Sequence, residues 1–203
     1  MPRGNPYADV PAAAPDLDLA ALAAGRGLEL EIGFGRGGFL MSRAAARPDA
    51  LVVGLELRRK WVAMVRDRSR RAGLTNVEAL YGDARYLLPS WTPDGAIDTV
   101  FVNFPDPWWK KRHLKRLLLV PETIEQVVRL LVPGGAGKLF VQTDVEERAL
   151  AYQAALDAVP ELAPAGDDGG PVLHDNPWDA RSHREARCID VGLPVFRLQY
   201  VRR

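Results

Sequence analysis

Leu28-Glu29-Leu30-Glu31-Ile32-Gly33-Phe34-Gly35-Arg36-Gly37-Gly38 is the stretch on which the reading of the chain turns. Its first five residues alternate into a strand, and the glycines that follow open a helix over residues 38–46, ended before Pro48. A strand that passes through a glycine turn into a helix is the opening unit of an α/β fold. Gly33 and Gly35 permit a tight turn and a close approach of backbone to a ligand.

The same alternation continues outward. Residues 51–55 form an apolar run of the kind that marks a buried parallel strand, and residues 58–72 read as a helix with Gly73 at its C-terminal stop. Further strands are expected over 77–81, 99–103 and 137–142, with helices over 117–131 and 146–158. Pro133-Gly134-Gly135 turns the chain between them, and Asp167-Asp168-Gly169-Gly170-Pro171 is a loop. Residues 195–201 partly alternate and read as an added antiparallel strand. Right-handed crossovers then place helices on both faces of a parallel sheet. Residues 1–18, rich in Pro, Ala and Gly, are expected to be a flexible N-terminal arm, and residues 19–203 a single domain.

With 203 residues, 47% of them hydrophobic and 26% charged, the chain can bury one ordinary globular core. No apolar run reaches the ~18 residues of a membrane span, and the N-terminus has no signal-peptide pattern, so a cytoplasmic protein with no membrane partner is expected. Cys188 is the sole cysteine, and His113, His174 and His183 are scattered, so no metal site is expected. A formal net charge of +1 says little about partners, but Lys110, Lys111, Arg112, Lys115 and Arg116 cluster with no acid among them. Such a block suits a polyanion held at one face.

Three carboxylates end three consecutive strands: Glu31, Glu56 and Asp83. Ligands of open α/β sheets bind at those carboxyl edges. Glycine turns serve dinucleotides, nucleotides and S-adenosylmethionine alike, so the acids must discriminate. Glu31, placed before the first glycine, repels a pyrophosphate and suits a ligand carrying sulfonium and ammonium charges. Glu56 can accept hydrogen bonds from two ribose hydroxyls, and Asp83 can take an adenine amino group. Each acid alone is equally readable as a solvated residue or a helix cap.

The fourth strand ends in Val102-Asn103-Phe104-Pro105-Asp106-Pro107-Trp108-Trp109. Two prolines stiffen the loop around Asp106, and the tryptophans offer flat surfaces for a base. The basic block follows at the start of a helix, where the helix dipole disfavours cations and a phosphate ligand would offset the cost.

FPDPWWKKRHLKR, taken with EIGFGRGG, GLEL, GDA, PGG and QTD in that order, resembles the bacterial tRNA (guanine-N7)-methyltransferases from about Leu28 to the C-terminus. The resemblance implies a Rossmann-like class I methyltransferase sheet of seven strands, mostly parallel, with the last antiparallel. It implies S-adenosylmethionine as cofactor, contacted by Glu31, Glu56, Asp83 and Asp106, and guanine 46 in the variable loop of tRNA as target. Lys110 and Asp144 match the family's substrate-binding positions, and Arg112, His113, Lys115 and Arg116 its RNA-contacting segment. Ser182 and Glu185 stand where the family carries a substrate-holding Thr-x-x-Glu, with His183 and Arg184 departing from its usual middle pair. Asp106 is the candidate catalytic residue. Monomer and homodimer are both open. The rival readings are another nucleic-acid methyltransferase, for which Asn103-Phe104-Pro105-Asp106 fits poorly, a NAD-dependent oxidoreductase on a Rossmann sheet, and an inactive RNA-binding relative.

Overall fold

The computed structural model describes residues 16–106 and 117–203. In chain order the elements are β1 (Leu17–Asp18), α1 (Leu19–Ala23), β2 (Gly27–Ile32), α2 (Gly38–Ala46), β3 (Ala50–Glu56), α3 (Arg59–Arg71), β4 (Val77–Tyr81) and α4 (Ala84–Leu87). They continue as β5 (Trp91–Thr92), β6 (Thr99–Asn103), α5 (Pro121–Leu130), β7 (Lys138–Thr143), α6 (Glu146–Asp157), β8 (Leu162–Pro164), β9 (Val172–Leu173), α7 (His183–Asp190) and β10 (Phe196–Arg202).

Seven strands form one path, β4-β3-β2-β6-β7-β10-β8, and the two-residue β9 joins beside β10 to give eight. β2, β3, β4, β6 and β7 run parallel. β10 is antiparallel to β7, with Phe196 opposite Thr143 and Val201 opposite Lys138. The seven-stranded path with its antiparallel last strand is therefore present, and β9 is an addition to it. From β2 the chain moves outward through β3 and β4, then returns to the other side of β2 with β6 and β7. The winding reverses between β2 and β6, which opens a crevice at their carboxyl ends.

β3 is buried along its whole length, as a central parallel strand must be when helices cover both faces. Alternation along it divides the core into two layers. Leu51, Val53 and Leu55 pack with Leu30, Val100 and Val102 and with Ile124 and Val127 of α5. Val52 packs on the other side with Leu40 and Ala44 of α2 and Val62 and Val65 of α3. Burying one such side chain contributes about 1.5–3 kcal/mol, so the two layers clamp the strand ends that carry the acids. Trp178 meets Phe101 edge-on at 5.0 Å and lies under the guanidinium of Arg43 at 4.9 Å, which pins the segment before α7 to the sheet.

Two boundaries differ from the sequence reading. The helix expected over 117–131 begins at Pro121, with Val120 extended at φ −108°, ψ 158°. Proline lacks the N–H that a first-turn residue does not need, and it drives the preceding residue out of the helical region. At the other boundary, Leu17–Asp18 pair with Trp91–Thr92, and Asp18 caps α1 by accepting from the Ala21 amide at 2.9 Å. These last two residues of the expected arm are thus part of the folded domain. Residues 1–15 of that arm lie outside the described residues.

Candidate active site

Glu29 and Glu31 lie two residues apart on β2, so they share one face of the strand. Both are buried, yet they meet different partners. Arg43 of α2 reaches Glu29 through a two-pronged pair, Nε to Oε2 at 2.7 Å and Nη2 to Oε1 at 2.8 Å. Glu31 receives a hydrogen bond from Asn103 Nδ2 to Oε1 at 2.8 Å. Its other oxygen, Oε2, is buried with no hydrogen-bond partner among the described residues. Burial raises the Glu31 pKa to about 7, helped by repulsion from Glu56 and opposed by the Asn103 hydrogen bond. An unsatisfied buried carboxylate oxygen costs free energy, and a bound cation is the partner that removes the cost.

The turn after β2 is open beside that oxygen. Gly33 and Gly35 adopt φ of +82° and +55°, and a methyl on either would meet nothing within 4 Å. A ligand can therefore lie against bare backbone there. Glu56, at the end of β3, secures the turn by accepting from the amides of Gly35 at 2.8 Å and Arg58 at 2.9 Å. Burial raises its pKa, against those amide hydrogen bonds. Each oxygen of a carboxylate keeps a second lone pair, so Glu56 can hold the turn and still accept from a ligand hydroxyl.

Glu56, Asp83, Asn103, Phe104 and Asp106 line a cavity of about 310 Å³ with the glycine turn. That size falls in the range of ligand pockets, about 300–1,000 Å³. Asp83 is both a helix cap and a cavity wall: it accepts from the Arg85 amide at 3.0 Å and pairs with the Arg85 guanidinium. Asp106 is exposed at the cavity edge. Phe104 has a positive φ of 50°, an uncommon state for a non-glycine residue that costs about 1 kcal/mol or more. Its amide donates to the Gln142 carbonyl at 2.8 Å, which fixes where the Asp106 loop leaves the sheet.

A second cavity of about 200 Å³ lies between the glycine turn and the start of α7, lined by Glu31, Gly33, Gly38, Ser182, His183 and Arg184 among others. His183 packs so closely that a methyl on Gly38 would come within 2.9 Å of its ring. The tertiary fold therefore brings Ser182 to Glu31 across most of the sequence. Asp144, just past β7, pairs with Arg184, whose Nε donates to Oδ2 at 3.1 Å.

Ser182 and Glu185 play local roles as well. Ser182 Oγ accepts from the Glu185 amide at 3.1 Å and caps α7. Glu185, expected as a substrate contact, is fully buried and lines neither of these cavities. It accepts from Arg197 Nη2 at 3.0 Å, Asn176 Nδ2 at 2.9 Å and Gln142 Nε2 at 3.3 Å. Gln142 also donates to Asn103 Oδ1 at 2.9 Å, so one buried chain, Glu31-Asn103-Gln142-Glu185, runs from the cavity walls at Glu31 and Asn103 into the core beneath α7. The sequence reading missed Asn103 and Gln142. Their signal was an amide at the inner end of an otherwise apolar strand, at Asn103 in TVFVN and Gln142 in KLFVQT. Gln142→Leu is expected to strand the Asn103 Oδ1 acceptor, at about 1–3 kcal/mol, while Glu185 keeps Asn176 and Arg197. Thermal unfolding should show a drop of roughly 2–12 °C, and an unchanged melting temperature would refute the linkage.

Trp108, Trp109, Lys110, Arg112, His113, Lys115 and Arg116 lie outside the described residues. Among the described residues no cluster of His, Cys, Asp and Glu could hold a metal ion, and no helix is long and apolar enough to cross a membrane.

The family model described as "Putative methyltransferase" matches residues 26–198. The chain is 35% identical over 177 residues to the tRNA (guanine-N(7)-)-methyltransferase of Myxococcus xanthus (strain DK1622), covering 86% of this chain and 83% of that one. It is 41% identical over 179 residues to the protein of the same name from Anaeromyxobacter dehalogenans (strain 2CP-C), covering 88% and 87%. Among solved structures, the 16S rRNA methyltransferase KamB superposes with a TM-score of 0.64 at 18% identity, over 90% of this chain and 92% of that one. TrmN from Thermus thermophilus does so with a TM-score of 0.60 at 22% identity, over 91% and 47%. At such identities these two likenesses speak for the fold alone.

Proposed function

The chain belongs to the tRNA (guanine-N(7)-)-methyltransferase family, and on that premise we propose that it transfers a methyl group from S-adenosylmethionine to N7 of guanine 46 in the variable loop of tRNA. The observation that carries the cofactor assignment is Glu31 Oε2, a buried carboxylate oxygen without a partner among the described residues, beside an open glycine turn. A cofactor bearing a pyrophosphate would place like charge against it. One bearing an ammonium group satisfies it.

When bound, S-adenosylmethionine supplies a methyl group on a positively charged sulfonium. Glu31 is assigned to its ammonium, the backbone of Gly33 and Gly35 to close contact with its chain, and Glu56 to its ribose hydroxyls. Asp83 sits where an adenine amino group could be received, provided that Arg85 yields one of its hydrogen bonds. Guanine N7 has an in-plane lone pair and no proton to lose, so the residues need supply no general base. Their task is alignment. Positive charge passes to the purine as the bond forms, and Asp106 at the cavity edge is the carboxylate placed to stabilise it. It is thus assigned both cofactor contact and the catalytic role.

Asp144, Ser182 and Lys110 are assigned to the substrate, with Glu185 acting through the placement of α7. Arg112, His113, Lys115 and Arg116 are assigned to the RNA. With tRNA as partner the cytoplasm is the place of action. Lys115→Ala combined with Arg116→Ala is expected to weaken tRNA binding and to flatten its dependence on salt. A salt slope equal to that of the unaltered chain would remove the block from the interface.

The proposal is tested by methyl transfer from labelled S-adenosylmethionine to an unmodified tRNA transcript, followed by borohydride and aniline cleavage. A single cut at the variable-loop guanine is expected. Label without a cut would move the methyl group to another atom, and no label in any tRNA would defeat the substrate assignment.

A further inference from the structure

The strongest concentration of charge among the described residues is on α3 and the residue before it. Residues 58–71 hold seven basic side chains and one acid, Asp67, in a chain whose formal net charge is +1. Several of these cations are already engaged. Arg70 and Arg71 share Asp67 at 2.9 and 2.7 Å, Arg66 approaches Glu78 at 3.6 Å, and Arg59 lies over the Tyr81 ring at 4.7 Å.

Lys60 and Arg68 are different. Both are exposed, and neither meets a carboxylate among the described residues. They lie about 12 Å apart along the helix axis and on neighbouring faces. The glycine turn brings a third cation to them. Arg36 lies 5.2 Å from the centroid of the Trp61 ring, Lys60 Nζ lies 4.5 Å from the same centroid, and Arg68 Nη1 donates to the Arg36 carbonyl at 2.9 Å. Two cations thus flank one half-buried tryptophan, and a third is tied to the backbone of the first, at the rim of the candidate active site, since Arg36 also lines the cavity beside Glu31. Cation–π contact returns only about 0.5–1 kcal/mol each at exposed sites, and the three cations repel one another. Such a cluster is what a polyanion would relieve.

We propose that Arg36 and Lys60 at Trp61, with Arg68 on the Arg36 carbonyl, form a phosphate-binding surface that holds the tRNA backbone on the β3 side of the active site. The inference rests on tRNA being the substrate. Its position complements the 110–116 block, which follows the β6 end in sequence.

The test is equilibrium binding of an unmodified tRNA transcript to the full chain over a range of salt concentrations. Each phosphate contact contributes about 0.7–0.9 to the slope of log affinity against log salt. The double variant Lys60→Gln, Arg68→Gln is expected to lower that slope by about 1–2 and to weaken binding about tenfold at low salt. Its affinity for S-adenosylhomocysteine should stay within about twofold. The charge-conserving pair Lys60→Arg, Arg68→Lys is expected to keep the slope. An unchanged slope in the glutamine variant, with the wild type binding tRNA, overturns the surface alone. Equal loss in the charge-conserving pair also overturns it, because packing rather than charge would then be at work. A wild type that binds S-adenosylhomocysteine but no tRNA overturns the substrate assignment, and this surface with it.

Discussion

Asp106→Asn is expected to lower turnover at saturating cofactor and tRNA by about 100-fold or more, with cofactor affinity reduced far less. The substitution keeps the shape of the side chain and removes its charge. Removing one preorganised electrostatic contact at a reacting centre commonly costs 10²–10³ in rate, which is the scale assigned here. Stability should hardly change, because Asp106 is exposed at the end of the β6 loop and makes no hydrogen bond among the described residues. Single-turnover methyl transfer measured beside thermal unfolding separates the two effects. Turnover within a few-fold of the unaltered chain would transfer the electrostatic role to another acid, with Asp144 the nearest candidate in function.

Glu31→Gln should move binding and stability in opposite directions. Truncating one partner of a buried charged pair costs about 2–5 kcal/mol, so S-adenosylhomocysteine is expected to bind about 100-fold more weakly. The ligand-free protein should nevertheless become more stable at pH 8. Glu31 titrates near 4.5 when exposed and at about 7 in the folded chain, because burial penalises its charge. Between those values the folded chain holds a proton that the unfolded chain has released. Its unfolding free energy therefore falls as pH rises from about 4.5 to 7, by about 3 kcal/mol in total. Glutamine does not titrate, so the variant escapes that loss and should melt several degrees higher at pH 8. At pH 5 the advantage should vanish, since Glu31 is then protonated in the folded chain. The same proton must leave before a cation can bind, so cofactor affinity in the unaltered chain should fall below pH 7. A variant that melts lower at pH 8 and binds cofactor normally would defeat both parts.

Much of the site could be read from local order alone. An acid at the end of an apolar strand lies at a sheet edge whatever the rest of the chain does, and this placed Glu31, Glu56 and Asp83 together before any contact was known. The FPDPW run likewise announced a stiff loop, since two prolines act on their immediate neighbours. Helix α5 was misplaced at its start because Leu117 to Val120 continue an apolar pattern that Pro121 cuts off. α1 and α4 are five and four residues long, too short for a helical period to register.

Other assignments depended on partners far away in sequence. Ser182-His183-Arg184-Glu185 reads in the sequence both as a ligand motif and as a capping pattern. Only Arg197 and Asn176, arriving from β10 and the loop before α7, show Glu185 committed to the interior. Arg36 and Lys60 are distant in the chain, and their meeting over Trp61 depends on how α3 packs behind the glycine turn.

The sequence by itself determined the order of the five parallel strands and of the long helices between them, the sheet edge expected to bind a ligand, and the acids that stand along it. These follow from periodicity and from the backbone limits of glycine and proline, which act over a few residues. The tertiary structure alone decided which acids remain free to bind. Glu29 and Glu31 share one face of one strand, and the choice between them was made by α2, which sets Arg43 opposite the first and leaves an oxygen of the second unpaired among the described residues. A carboxylate's availability depends on what packs against it, and packing is set by the whole fold.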